Sequence, residues 1–250
     1  SGVAWAQTRV PFLRPAAMTR AGSVSHAPGH GPSPLGTLPL VGRAEELGSL
    51  ELLLEGPSPQ QPAAFLCGGS GCGKSRLASE LCARAERRGW KVTRGRAYPV
   101  ERGVPYALLS DALVPLFRAM DQDTLTVLSR GGEADLRNLF PALGSGRHLD
   151  AAQAATDPDE LKTRLFWTLA EFLKACAARA PLVVVLEDLE WADASSLELV
   201  HFLARQCAGH RVLLLCTYDE AERDQSPSLV KAERSLLALG LARVQRVEPL

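Results

Sequence analysis

Between a short apolar run, "AAFLC" (residues 63–67), and an amphipathic stretch, "KSRLASELCARAERRG" (74–89), lies the segment "GGSGCGKS" (68–75). A stretch so dense in glycine can extend neither a strand nor a helix, so the chain must turn there. Gly68, four further residues and then Gly73-Lys74-Ser75 give the spacing of a phosphate-binding loop. Phosphate oxygens must be surrounded by backbone N–H groups, and glycines let the chain close around them. The helix that begins near Lys74 directs its positive dipole end at the same anion. A strand that delivers such a loop and a helix that leaves it require an α/β architecture. The bland alternative is a glycine turn with an exposed lysine.

On the first reading Gly68, Gly69, Ser70, Gly71, Cys72, Gly73, Lys74, Ser75 and Arg76 bind a nucleotide, ATP or ADP, together with Mg²⁺. Lys74 reaches the outer phosphates, and the Ser75 hydroxyl ligates the metal. A phosphate loop also needs a partner that holds the metal and polarises water. "LVVVLED" (182–188) supplies one: an apolar run covered on both faces, ending in Glu187 and Asp188. Lys74, Glu187 and Asp188 form the candidate catalytic set. By position Glu187 faces the metal with Ser75 and Asp188 the water, or the two exchange roles. The competing reading leaves the pair as a mere strand cap. A second glycine segment, "LSRGGE" (128–133), is similar to an ABC-transporter signature but stands far from the acidic strand. It is read as a turn between helices.

Further patterns repeat the alternation of strand and helix. "RAEELGSLELLLEG" is a helix stopped by Gly56, and "WKVTRGRAY" reads as a strand. From "PYALLSDALVPLFRAM" a helical region, interrupted by Pro115, extends to about Leu143. Asp157 before Pro158, with Glu160 following, marks the start of a long helix that ends before Pro181. Asp193 caps "ASSLELVHFLARQCAG", "RVLLLCTY" is a buried strand, and "ARVQRVEPL" is a candidate for the last. The implied fold is a P-loop NTPase: a parallel sheet of about five strands with helices on both faces.

Residues 1–37, rich in Pro, Gly, Ser and Ala, read as a flexible, disordered tail, and 38–250 as the folded domain. Arg9, Arg14 and Arg20 without an acid give that tail a transit-peptide composition, but an irregular leader accounts for it better. Formal net charge is zero, so the whole chain has no electrostatic attraction to nucleic acid or anionic lipid. No apolar run is long enough to span a membrane. The six cysteines lack CxxC spacing and sit in apolar patterns, as free buried thiols of a cytoplasmic protein do.

Taken together, "LVGRAEEL", "GGSGCGKSRLASE", "VPYALLSDAL", "VVVLEDLEWADASSLELV" and "VLLLCTYDEAE" occur in an order that resembles one family. It is the ATPase domain that opens the large ATP-binding LuxR-type transcriptional regulators, in the STAND branch of the AAA-like superfamily. The likeness covers about residues 38–250. It implies a sheet in which an extra strand separates the phosphate-loop strand from the acidic one. It implies a switch: ADP holds a closed form, and ATP plus an inducer permits self-association. It places Arg43 near the nucleotide and gives Trp191 and Asp193 the turn after the acidic strand, where packing and helix capping are the plainer roles. DNA would be reached only through a C-terminal helix-turn-helix.

This sequence departs from that family in three ways. Glu190 replaces the usual histidine and alters the charge beside the metal. Asp219 follows Tyr218 where an arginine usually senses the terminal phosphate, with Arg223 the nearest replacement. The chain also stops near the end of the ATPase core, before the lid, winged helix and sensor repeats, which reads as truncation. Two functions follow: a slowly hydrolysing ATP-binding switch of a transcriptional or signalling regulator, or a nucleotide-binding module without turnover.

Overall fold

The computed structural model describes residues 42–56, 59, 61–143 and 157–249, and the tail expected over 1–37 lies outside them. The described strands are β1 (Ala63–Gly68), β2 (Lys91–Arg96), β3 (Leu182–Glu187), β4 (Val212–Asp219) and β5 (Ala242–Arg246). They form one sheet in the order β2-β3-β4-β1-β5, with every pairing parallel. β4 therefore lies between the glycine-loop strand β1 and the acidic strand β3, as the family resemblance implied.

Side chains alternate across the sheet, and both faces are covered, which explains why the central strands read as unbroken apolar runs. Ala64, Leu66, Val183, Val185, Leu213 and Leu215 form one core with α1 (Ala44–Glu51) and α2 (Lys74–Arg87). Phe65, Val184, Leu186, Leu214 and Tyr218 form the other. That second core is covered by α3 (Ala107–Arg118), α5 (Glu133–Leu139), α6 (Pro158–Arg179), α7 (Ala194–Gln206) and α9 (Pro227–Ala238). α4 (Gln122–Ser129) packs on α6, and α8 (Glu220–Arg223) is a single turn after β4.

Local chemistry sets the element ends. Asp157 accepts the Asp159 N–H at 3.0 Å and begins α6 with Pro158 in its first turn. "LSRGGE" is the expected turn, with Arg130 and Gly131 in left-handed backbone between α4 and α5. Pro115 does not interrupt α3, contrary to the sequence reading. It lies inside the helix, one turn from its end at Arg118, so only the bond to the Asp111 carbonyl is forfeited. Helix α9 was passed over in the sequence, although Pro227 and the apolar spacing Leu229, Ala232, Leu236 mark it. All six cysteines are buried free thiols.

Candidate nucleotide site

β1 ends at Gly68, and the chain turns through Gly71 (φ 76°) and Gly73 (φ 98°) into α2. Both values suit glycine, and no side chain caps α2, so the amides of its first turn remain for an anion. Lys74 Nζ donates to the carbonyls of Gly68 (2.8 Å) and Gly69 (2.9 Å) and lies 4.0 Å from Asp219 Oδ2. Register fixes that last approach, because Gly68 and Asp219 are paired across β1 and β4. A cavity of about 550 Å³ opens above the loop, within the range of small-ligand sites. Its wall includes Ser70, Lys74, Ser75, Asp188, Trp191 and Asp219.

The loop is braced from behind. Val247 N donates to Cys67 O at 2.7 Å, and a Cβ on Gly68 would lie 2.2 Å from Val247 O. Arg43, only 5% exposed, donates to Cys72 O (3.0 Å), to Glu46 (2.8 Å) and to the Glu248 carbonyl. It is not among the residues that line the cavity. Arg43 thus touches the phosphate loop through a backbone carbonyl and is buried rather than solvated.

Opposite the loop, β3 delivers the two acids into a shared ion pair. Arg96, at the end of β2, is the register partner of Glu187. Its guanidinium donates to Glu187 Oε2 at 2.9 Å, and its Nε lies 3.4 Å from Asp188 Oδ2, close but not aligned as a hydrogen bond. Burial opposes the charge on Arg96, and Glu187 and Asp188 more than offset it, holding the guanidinium protonated. Asp188 has left-handed backbone (φ 59°), unusual outside glycine, and its N–H is bonded to Thr217 Oγ1 at 3.1 Å. Burial pushes its carboxyl above the usual range, against the pull of Arg96. Asp188, the first residue beyond β3, lines the cavity, and Glu187 does not.

The turn after β3 carries Glu190, Trp191 and Asp193. Glu190 is 4% exposed and has one carboxylate oxygen without a partner; burial raises its pKa, helped by the charges of Asp188 and Asp219. Asp193 caps α7 by accepting Ser196 N–H at 2.9 Å and also takes Tyr106 N–H at 3.2 Å, tying in the loop after β2. Trp191 lines the cavity, with the Arg102 guanidinium 4.6 Å above its ring. Arg223 is engaged elsewhere: it donates to buried Glu233 at 2.7 Å, and Glu233 also accepts from Tyr218 at 3.0 Å.

The residues fit a nucleotide with Mg²⁺. Among the described residues no three His, Cys, Asp or Glu side chains converge on a metal site of their own. Mg²⁺ is ordinarily held by one or two protein oxygens together with phosphate oxygens and water, and Ser75 and Asp188, which both line the cavity, would supply that complement. The structure thus gathers Ser70, Gly71, Gly73, Lys74, Ser75, Arg76 and Asp188 around the cavity. Glu187 is set back on Arg96, while Gly68, Gly69 and Cys72 build the loop. Sequence reasoning missed Arg96, and only the register of β2 on β3 would have revealed it.

A parallel sheet whose β1 runs through a glycine loop into α2 defines the P-loop NTPase fold. The family model for the AAA ATPase domain matches residues 39–215, and the chain belongs to that family. A protein of Rhizobium meliloti (strain 1021), itself described as uncharacterized, is 28% identical over 193 residues, which are 72% of this chain and 18% of that protein. A solved structure titled "ATPase" aligns with a TM-score of 0.35 and 11% identity, covering 82% of this chain and 81% of that one. Membership in this family carries nucleotide binding with it. Among the described residues no helix is long and apolar enough to cross a membrane.

Proposed function

We propose that the chain is an ATP-binding switch domain with slow hydrolysis, part of a LuxR-type transcriptional or related signalling regulator that works in the cytoplasm. The observation that carries the switch reading is the mutual pairing of the site's charges. Arg96 holds both Glu187 and Asp188, and Lys74 rests on loop carbonyls beside Asp219. Phosphoryl transfer relies on positioned charge, and charges satisfied by one another favour retention of nucleotide over rapid turnover. Bound Mg²⁺ would supply neutralisation of the phosphate oxygens. The chain's own residues do the rest: the loop amides and Lys74 grip the phosphates, Ser75 and Asp188 face the cation, and Glu187 orients water when Arg96 releases it. The regulator context rests on the motif set, together with the fact that the matched region is a small part of its relative. Self-association in the ATP state and DNA contact through a separate C-terminal domain belong to the same proposal.

The second reading, binding without turnover, is favoured by Asp219, an acid where a phosphate-sensing arginine is expected. Calorimetric titration with Mg-ATP and Mg-ADP, followed by phosphate release on the same sample, separates the two. Binding with slow release supports the switch ATPase. Binding without release supports the module, and failure to bind either nucleotide removes both.

A further inference from the structure

We infer that Asp219 makes this site selective for nucleotide already complexed with a divalent cation, so that free nucleotide is excluded. The inference rests on the nucleotide reading above and goes beyond it by assigning Asp219 a role in ligand selection.

Asp219 is a fixed charge rather than a loose surface acid. It ends β4 beside Gly68, and its Oδ1 accepts the Ala221 N–H at 2.9 Å as the cap of α8. That bond orients the carboxylate so that Oδ2 faces Lys74 at 4.0 Å, with the side chain 16% exposed. The lysine expected to meet the outer phosphates therefore shares its charge with an acid at the loop mouth.

The other cationic side chains of the wall offer little compensation. The cationic side chains lining the cavity are Lys74, Arg76 and Arg96, against the carboxylates Asp188, Glu190, Asp219 and Glu222. Arg96 is taken by Glu187 and Asp188, and Arg76 lies 3.8 Å from Glu80. A polyphosphate entering alone is met by the loop amides but also by carboxylate side chains of its own sign, part-buried and so less screened than surface charges. A divalent cation cancels much of the phosphate charge and turns the same carboxylates into attractive groups. Free nucleotide is thereby disfavoured by like charge, a form of specificity built on repulsion. Asp219 is the member of the set closest to Lys74.

The test is calorimetric titration with ADP, in excess MgCl₂ and in EDTA, of the natural chain, Asp219→Asn and Asp219→Ser. Both replacements keep a helix-cap acceptor, and their folding is checked by thermal melts. The expected result is that the natural chain binds ADP in MgCl₂ and loses at least about a hundredfold in EDTA. The variants should lose about tenfold less, chiefly through tighter binding in EDTA. Equal affinity of the natural chain in the two buffers overturns the inference while leaving nucleotide binding intact. So does an unchanged buffer ratio in folded variants. Absence of binding in MgCl₂ overturns the nucleotide reading itself, and this inference with it.

Discussion

The Arg96 guanidinium donates to Glu187 Oε2 at 2.9 Å and brings its Nε within 3.4 Å of Asp188 Oδ2, so one cation serves both acids at the end of β3. Asp188 is held above the usual carboxylate range by burial, with Arg96 the largest opposing influence. Replacing Arg96 by Gln removes that opposition and raises the Asp188 pKa further. The ionised carboxylate is the form that attracts a cation, so Mg-ADP affinity should weaken as pH falls through this pKa. In Arg96→Gln the weakening should begin at higher pH, by about one unit. Fluorescence or calorimetric titration at a series of pH values reads the midpoint, and superimposable profiles would remove Arg96 from the site's electrostatics.

Lys74 makes its hydrogen bonds to Gly68 and Gly69 carbonyls at the cavity mouth rather than within either core. Truncation should therefore spare the fold and remove charged contacts to phosphate. Lys74→Ala is expected to lose about a hundredfold in Mg-ATP affinity, the worth of one or two charge-assisted hydrogen bonds. Its melting temperature should stay close to that of the natural chain. Unchanged affinity in calorimetry would refute the assignment of the phosphate loop.

Local chemistry made much of this legible before the structure. The glycine loop, the run "LVVVLED" and the caps at Asp157 and Asp193 each follow from backbone demands that a few adjacent residues meet. What stayed hidden depends on residues far apart in the chain. Arg96 meets Glu187 only because β2 lies beside β3 in a particular register. Arg43 braces Cys72 and Glu248 only because α1, the loop and the segment after β5 converge. Arg223 looked available for a phosphate until α9, overlooked in the sequence, supplied Glu233 as its partner. The family likeness supplied the position of β4 between β1 and β3, which spacing alone did not.

Gly95 marks where α3 seats on β2. A Cβ there would come within 2.5 Å of Ala112 N and 2.6 Å of Leu108 O, both backbone atoms that cannot swing aside. Gly95→Ala should cost about 1–3 kcal/mol through overpacking and lower the melting temperature by several degrees. It should also weaken nucleotide binding, since Asp111 on α3 accepts the Arg96 N–H at 2.9 Å. Gly103→Ala, with nothing within 4 Å of the added carbon, should shift stability by less than about 0.5 kcal/mol. Paired thermal melts check both, and an equal loss in the two variants would contradict the close seating of α3.

Glu190 provides a stability effect whose sign depends on pH. It is buried, one of its oxygens has no partner, and burial together with Asp188 and Asp219 raises its pKa in the folded state. The unfolded chain releases this proton at the ordinary carboxylate pKa, so near neutrality the fold bears the cost of an ionised, poorly solvated acid. That cost diminishes as pH falls through the raised folded value, where the carboxyl takes up its proton, and is gone below the unfolded one. Glu190→Gln keeps the shape and one acceptor oxygen while removing the charge. The variant should therefore melt a few degrees higher than the natural chain at neutral pH, and the difference should shrink to nothing in mild acid. Melting curves without nucleotide or metal, taken from neutral pH down to the carboxylate range, read this directly. A variant less stable at neutral pH would mean that the Glu190 charge is compensated in the fold, and that its burial is no burden on this turn.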